Sequence, residues 1–327
     1  MPAADVLIVS LGSTAGLRAA EDELLGALRR AGAVAEMVHA KPPREVRTFA
    51  LTDLGWARAA RGAAIDGIER HAPRIVVYST VTSSLLWPRP GAIRYDAPAA
   101  ANRLGRHGLW QRRVERRRLA EASLLIPQDP GALDESPTPR ADAVVVPIPV
   151  EPSAQAGDER DIAAITYAAN PHKKGLDRVL KAWATVRRPG EELVVAGADT
   201  AVDAPGVRVA GSLAPSEYRA LLRRSRVYVC APRREDCGLS QLEALADGCV
   251  LVTNAAPGPY AALPLARELA PQLVVPEDSA GLAAALRIAL DLPAIGYAGR
   301  AAELIAPYRR DAVDAVVRDE LLPRLLG

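Results

Sequence analysis

Short apolar runs alternate with longer segments of helical periodicity along the chain. The first run, Asp5 to Ser10, precedes a turn of small residues and a helix of about fifteen residues ending near Gly32. The runs at Arg74 to Ser79, Asp161 to Tyr167 and Val227 to Ala231 are also short, apolar and β-favouring, as buried strands of parallel sheets are. This alternation predicts an α/β fold with parallel sheets.

Length and a change of composition divide the chain in two. Its 327 residues exceed what one hydrophobic core usually covers. The Pro-rich phrase PIPVEP ends the first half, and the small, polar and charged residues from Ser153 to Arg160 suit an interdomain linker. We therefore expect an N-terminal domain over residues 1–152 and a C-terminal domain over residues 153–327.

Composition excludes several classes of protein. A net charge of only +2 argues against a nucleic-acid binder. The cysteines at 230, 237 and 249 have no CxxC spacing, so we expect reduced thiols and no metal site. The N-terminus enters a strand without a basic leader, and no 18 apolar residues run together, so we expect a cytoplasmic protein.

The stretch 226–254 predicts a strand, a loop, a helix and a second strand, with two glutamates eight positions apart, Glu235 and Glu243. Ser240 is the predicted cap of the helix, and Gly248 ends it. The loop delivers Glu235 to the carboxyl end of a strand, where the first helical amides, including that of Leu239, favour a phosphate. A molecule with a diphosphate and two polyol ends, a nucleotide sugar, could contact both carboxylates and these amides.

This pattern resembles the family-4 retaining glycosyltransferases with the GT-B fold. The matching residues are Glu235, the turn at Gly238 and Leu239, and the helix Leu242-Glu243-Ala244-Leu245-Ala246-Asp247-Gly248. The resemblance implies that Glu235 contacts the transferred sugar, that Glu243 holds the ribose, and that Gly238, Leu239 and Ser240 lie at the phosphates. It also implies two Rossmann-like parallel-sheet domains facing across a cleft, the last helix, 311–326, crossing back to the first domain. The alternative is that both glutamates are solvated helix-cap carboxylates.

The loop at 168–175 carries the other half of the resemblance. Lys174 before Gly175 matches a family lysine directed at the donor diphosphate. The arginine of the family pattern is missing, since alanines stand at 168 and 169, so Lys173 or His172 substitutes or the amides hold the phosphates. Two lysines beside a helix start are unfavourable unless an anion intervenes.

The first half offers weaker candidates. Gly12 and Ser13 lie in a GxxxG turn that lacks the third glycine of a dinucleotide fingerprint, which disfavours an oxidoreductase. The resemblance places this turn against the diphosphate, and a plain tight turn is the alternative. Asp96 follows a predicted strand and either orients an acceptor hydroxyl or serves as a turn residue.

An arginine-rich segment follows, with seven arginines between Asn102 and Arg118. Four of them, Arg112, Arg113, Arg116 and Arg117, cover more than one face of a predicted helix. A solvated face is the ordinary interpretation. The functional alternative is peripheral contact with the anionic inner face of a membrane.

The resemblance therefore implies a metal-independent retaining transferase without a cofactor, moving a hexose from a UDP-, GDP- or ADP-sugar to a hydroxyl acceptor. The absence of a DxD motif in a suitable loop agrees with metal independence. The main alternative is a degenerate GT-B protein that binds a nucleotide sugar or a partner without turnover. The missing arginine favours this alternative, and the presence of Glu235, Glu243 and Lys174 opposes it.

Overall fold

The structure is a computed structural model that describes residues 3–44, 49–103, 105–137, 142–153, 159–199, 202–292 and 294–327. The chain forms two compact units, and each is described by itself. Unit 1 comprises Met1–Pro149 together with Arg310–Gly327, and unit 2 is Val150–Arg309. Residues 154–158 of the predicted linker lie outside the described residues.

Unit 1 contains a parallel sheet of five strands in the order β2-β1-β3-β4-β5. The strands are β1 Val6–Ser10, β2 Ala35–His39, β3 Ile75–Tyr78, β4 Ala92–Tyr95 and β5 Leu125–Pro127. All five residues of β1 are buried because this strand lies between two neighbours and under helices on both faces.

In the described part of residues 1–149, six α-helices connect or follow these strands. They are α1 Ala15–Arg30, α2 Phe49–His71, α3 Val81–Ser84, α4 Ala99–Asn102, α5 Leu109–Glu121 and α6 Pro130–Asp134. Polar side chains cap some of these helices: the Thr14 hydroxyl accepts a bond from the amide of Leu17 at α1, and Asp129 accepts one from the amide of Gly131 at α6. The apolar run at 143–146 does not become a strand of its own. Ala143 makes only an isolated bridge to Leu125, because the prolines that follow cannot extend a ladder.

Unit 2 contains six parallel strands in the order β11-β10-β9-β6-β7-β8. The strands are β6 Ile162–Tyr167, β7 Leu193–Ala196, β8 Val207–Gly211, β9 Ser225–Val229, β10 Val250–Asn254 and β11 Val274–Val275. Numbered from β6, this is the order 3-2-1-4-5-6 of dinucleotide-binding domains. The strand order reverses between β6 and β9, so a crevice forms beyond the carboxyl ends of these two strands.

The helices of unit 2 are α7 Leu176–Val186, α8 Pro215–Arg224, α9 Leu239–Ala246, α10 Ala262–Leu269, α11 Leu282–Asp291 and α12 Ala294–Leu304. One core holds the strands and helices together, and Trp183 of α7 is its largest fully buried side chain. No single helix of the described chain is long and apolar enough to cross a membrane. One pair of helical segments passes that test only when the two are taken together. They are Leu282–Asp291 and Gly296–Leu304, and the chain bends by 111° between them.

The C-terminal segment belongs to unit 1. It comprises α13 Arg310–Val316, a π-helical turn Val317–Leu321 and α14 Leu322–Leu326. Its apolar side chains enter the core around β1 and α1; they are Val313, Val317, Leu321 and Leu325. Ion pairs from Arg30 to Asp314 at 2.6 Å and from Arg310 to Glu23 at 2.8 Å hold its polar side. The single predicted helix at 311–326 is interrupted where Pro323 removes an amide donor.

Candidate active site at the strand-order reversal of unit 2

Two loops leave adjacent parallel strands at the point where the strand order of unit 2 reverses. One follows β6 and carries Lys174, and the other follows β9 and carries Glu235. Ligands of open α/β sheets bind at such a point. The topology therefore brings together two candidate residues that lie 61 positions apart in the sequence.

The Lys174 ammonium donates a hydrogen bond to Oε2 of Glu235 at 2.6 Å. Glu235 is only 4% exposed, and the Lys174 side chain is 19% exposed. The Glu235 backbone is fixed as well, since its amide donates to the carbonyl of Pro257 at 3.0 Å. A buried carboxylate needs a partner, and this lysine supplies the opposite charge.

Glycine makes the close approach of the two loops possible. Gly175 has a φ of +66°, and a Cβ at this position would lie 1.9 Å from the carbonyl oxygen of Ala231. The amide of Arg233 donates to the carbonyl of Lys173 at 2.9 Å, which adds a backbone bond between the loops. Lys174 is therefore held by its own backbone beside the Glu235 loop.

Helix α9 begins two residues earlier than the sequence predicts, since its N-cap is Gly238 and not Ser240. Gly238, with a φ of +77°, occupies the N-cap position, and its carbonyl accepts bonds from the amides of Gln241 and Leu242. The prediction that Ser240 caps the helix is wrong, because Ser240 lies within the first turn and its hydroxyl is buried. The first amides of α9, including that of Leu239, have no partner within a helix and favour an anion beside Glu235.

Glu243 lies inside α9 and is half-buried. Burial raises the pKa of its carboxyl to about 7, and although Arg219 opposes this rise, Asp247 adds to it. The nearest Arg219 nitrogen is 3.7 Å from Oε1 of Glu243. Glu243 therefore changes its charge near neutral pH.

Arg219 is a member of this site that sequence reasoning missed. Its guanidinium bonds to Asp247 at 2.8 Å and to the carbonyl of Glu151 at 2.7 Å. Asp247 also accepts bonds from the amide and hydroxyl of Ser153, at 2.6 and 2.8 Å. The arginine is thereby fixed beside Glu243. No spacing rule links α8 to α9, so the sequence gives no signal of this contact.

A second cationic group flanks the Lys174–Glu235 pair. Lys173 donates to Asp236 at 2.7 Å, and Arg234 bonds to the same carboxylate at 2.7 Å. Burial favours the neutral acid, but Lys173 and Arg234 outweigh burial and lower the pKa of Asp236. Lys173 is thus engaged by an internal carboxylate, which sequence reasoning did not anticipate.

Two alanines stand where the family pattern has an arginine. Ala168 is buried, and Ala169 is exposed. The nearby Arg233 bonds to the carbonyl of His172 at 2.7 Å and forms a two-bond ion pair with Asp177 at 2.8 and 2.9 Å. Arg233 belongs to the loop that carries Glu235, and its guanidinium therefore lies against the loop that carries Lys174.

The predicted turn of unit 1 contains an internal anion. Glu21, 1% exposed, accepts bonds from the hydroxyls of Ser10 and Ser79 at 2.6 and 2.5 Å. Its carboxylate also accepts from the amide of Leu11 at 3.0 Å and lies 3.5 Å from that of Gly12. Gly12 has a φ of +56°. An internal carboxylate therefore occupies the amides that a phosphate would use at this turn.

The remaining candidates of unit 1 lie at its surface. Ser13 and Asp96 are exposed, and the Asp96 carboxylate accepts a bond from the amide of Ala97 at 2.8 Å, as a turn residue does. On α5, Arg113, Arg116 and Arg117 are exposed, whereas Arg112 reaches back to the carbonyl of Gly105 at 3.1 Å.

The three cysteines are free thiols; Cys230 and Cys249 are buried, and Cys237 is half-buried. Within the residues that the structure describes, no group of three or more His, Cys, Asp or Glu side chains is arranged to hold a metal ion.

Residues 160–291 match the family Glycosyl transferases group 1, a match that supports glycosyl transfer from a nucleotide sugar. No curated protein sequence matches the chain. Among solved structures, HepE from Anabaena in complex with UDP is similar, with a TM-score of 0.71, 12% identity and coverage of 97% of this chain and 99% of HepE.

Two other solved structures are similar over nearly their whole length. WaaG, a glycosyltransferase involved in lipopolysaccharide biosynthesis, has a TM-score of 0.69, 14% identity and coverage of 98% and 99%. The trehalose-6-phosphate synthase OtsA has a TM-score of 0.71, 13% identity and coverage of 97% and 98%. The chain therefore has the GT-B fold of these glycosyltransferases, and its residues 160–291 match the group 1 glycosyl transferases.

Proposed function

We propose that the chain is a retaining glycosyltransferase that moves a hexose from a nucleoside diphosphate sugar to a hydroxyl acceptor. The observation that carries the proposal is the Lys174–Glu235 pair, 2.6 Å long, beside the N-terminus of α9 at the strand-order reversal. The cation and the amides are groups that bind a diphosphate, and the carboxylate is a group that accepts bonds from sugar hydroxyls.

In this proposal Lys174 and the first amides of α9 bind the donor diphosphate. When the bond between the anomeric carbon and the diphosphate breaks, negative charge grows on the leaving group. Fixed cations and amides stabilise that charge more in the transition state than in the bound donor, which accelerates the step. The acceptor hydroxyl oxygen then bonds to the anomeric carbon on the face that the diphosphate leaves, and its proton passes to the departing diphosphate, so the anomeric configuration is kept.

Glu235 positions the transferred sugar through its hydroxyls, and Glu243 accepts bonds from the ribose. The Lys174 ammonium compensates the Glu235 carboxylate when no donor is bound. The two loops carry three cationic side chains: Lys173, Lys174 and Arg233. We propose that these cations replace a metal ion at the diphosphate. UDP-, GDP- and ADP-sugars are the donors to test, and no cofactor takes part.

We assign acceptor recognition to unit 1, with Asp96 as an exposed candidate, and we propose that the enzyme acts in the cytoplasm. The complex of HepE with UDP supports a nucleotide ligand for this chain. Because Glu21 engages the backbone at Leu11 and Gly12, we expect the donor phosphates to be bound mainly by unit 2.

The test is a screen of donor hydrolysis and transfer with UDP-, GDP- and ADP-sugars. With the accepted donor, Lys174→Ala should lower the turnover rate more than it weakens calorimetric affinity for the nucleoside diphosphate. Lys181→Ala, which removes an exposed lysine of the neighbouring helix α7, is the matched control and should leave both unchanged. Full turnover by Lys174→Ala would contradict the catalytic assignment.

A second candidate function is nucleotide-sugar binding without turnover. The observation that favours it is the exposed Ala169 where the family pattern has an arginine. Calorimetry separates the two candidates: a binder gives saturable affinity for a nucleotide sugar but no release of free nucleotide over hours. Restoring the cation with Ala169→Arg should then raise affinity or create turnover.

A further inference from the structure

A buried polar chain lies behind Glu235. The Tyr228 hydroxyl donates to Oγ of Ser240 at 2.9 Å, and the Ser240 hydroxyl donates to Oε1 of Gln241 at 2.8 Å. Nε2 of Gln241 then donates to Oε2 of Glu235 at 3.1 Å, on the oxygen that Lys174 also contacts. Tyr228 and Gln241 are at most 1% exposed, and Ser240 is 8% exposed.

The chain of bonds has a direction. Because Tyr228 donates to Ser240, the serine proton is available for the carbonyl oxygen of Gln241, and the amide nitrogen is turned towards Glu235. The opposite amide orientation would place the Gln241 oxygen against the Glu235 carboxylate, where neither atom can donate. The Gln241 nitrogen has a second, weaker acceptor in Sγ of Cys230 at 3.6 Å.

We propose that Gln241 is a positioning residue, oriented by Ser240 and Tyr228, that keeps the Glu235 carboxylate aimed at the donor sugar while Lys174 turns to the diphosphate. The inference rests on the proposed function, because it concerns the same reaction. It assigns the Ser240 side chain a role in orienting Gln241, where the sequence pattern suggested a helix cap and a contact with phosphate.

The need for such a residue follows from the two tasks of Lys174. One ammonium on a flexible side chain serves the Glu235 carboxylate in the empty protein and the diphosphate in the donor complex. When the lysine turns away, a buried carboxylate with no other donor would lose its orientation. The Gln241 amide is neutral and fully buried on the first turn of α9, so it stays beside Glu235 when Lys174 turns to the diphosphate.

The experiment compares Gln241→Leu, Ser240→Ala and Ser240→Thr in the full chain with the donor identified by the screen. Gln241→Leu should lower kcat about tenfold or more, the usual range for a lost hydrogen bond to a charged group, and leave nucleoside diphosphate affinity within about twofold. Ser240→Ala should lower kcat less, by about threefold, and Ser240→Thr, which keeps the hydroxyl, should restore the rate. Ser225→Ala, a buried serine at the other end of strand β9, is the matched control and should change neither quantity.

A second readout does not depend on turnover. By NMR, the side-chain amide protons of Gln241 should exchange slowly in the unaltered chain and faster in Ser240→Ala, since the partner that orients the amide is lost. Equal exchange in both proteins, or an unchanged kcat in Gln241→Leu, would overturn the inference while leaving the proposed function standing. No hydrolysis of any donor by the unaltered chain would overturn the proposed function, and equal losses of kcat and nucleotide affinity would make Gln241 a structural residue only.

Discussion

Glu243 makes nucleotide binding depend on pH. Burial raises the pKa of this carboxyl to about 7, with Arg219 as the opposing cation. Only the ionised form accepts bonds from both ribose hydroxyls, so affinity should fall as the pH drops through 7, by up to about tenfold for each pH unit. Calorimetry with the nucleoside diphosphate at pH 6, 7 and 8 measures this dependence.

Glu243→Gln is the variant that isolates the effect. It should bind the nucleotide more weakly at pH 8, by about 1.5 to 3 kcal/mol, and show a flat profile between pH 6 and 8. Glu303→Gln on α12 removes an exposed carboxylate and should reproduce the unaltered profile. A profile that keeps its slope in Glu243→Gln would assign the titration to another group.

Gly175 is a backbone requirement of the same site. Gly175→Ala meets a φ of +66° and the carbonyl of Ala231, so one of the two loops must move. We expect a loss of about 1 to 3 kcal/mol in the free energy of unfolding and a lower transfer rate, because Lys174 shifts with its backbone. Urea unfolding and donor hydrolysis measure the two effects.

Gly190→Ala is the control for the backbone angle alone. Its φ is +86°, but nothing lies within 4 Å of the added Cβ. This variant should therefore lose stability through its dihedral angle and keep full hydrolysis. If both glycine variants hydrolyse the donor equally, the contact with Ala231 does not position Lys174.

Helix α5 carries the predicted contact with a membrane. Its exposed arginines at 113 and 116 are solvated side chains unless an anionic surface meets them. If they contact lipid, the double substitution to glutamine should lower sedimentation with vesicles containing phosphatidylserine severalfold and leave neutral vesicles unaffected. Substituting Arg70 of α2 and Arg267 of α10, two exposed arginines on other helices, is the control. Equal binding by both pairs would leave α5 as a solvated face.

The elements around the site were predictable, but their contacts were not. Residues 226–254 form the predicted strand, loop, helix and strand because apolar periodicity and Gly248 fix them locally. The pairing of Lys174 with Glu235 spans 61 residues and depends on β6 and β9 becoming neighbours, which only the assembled sheet decides. The sequence favours Ser240 as the cap because Gly238, which takes the N-cap position at a positive φ, has no side chain that signals it.

At the scale of the whole molecule, unit 1 should depend on the C-terminal segment for its stability. Leu321 is fully buried in the core around β1 and α1, whereas Leu326 is half-buried. Leu321→Ala should lower the free energy of unfolding of unit 1 by about 2 to 5 kcal/mol, through lost burial and the cavity left behind. Leu326→Ala should cost clearly less. Hydrogen exchange of the β1 amides reports on unit 1 and should show the same order; equal effects would contradict the core assignment.

Synthesis on the ribosome reverses the order in which the two units become complete. Unit 2 is continuous in sequence, so all of Val150–Arg309 can fold once it has left the exit tunnel. Unit 1 begins first but lacks Val313, Val317 and Leu321 until residues 310–327 emerge. The apolar face of β1 and α1 that these side chains cover therefore stays exposed during elongation. Chaperones and proteases would bind the nascent chain in this interval.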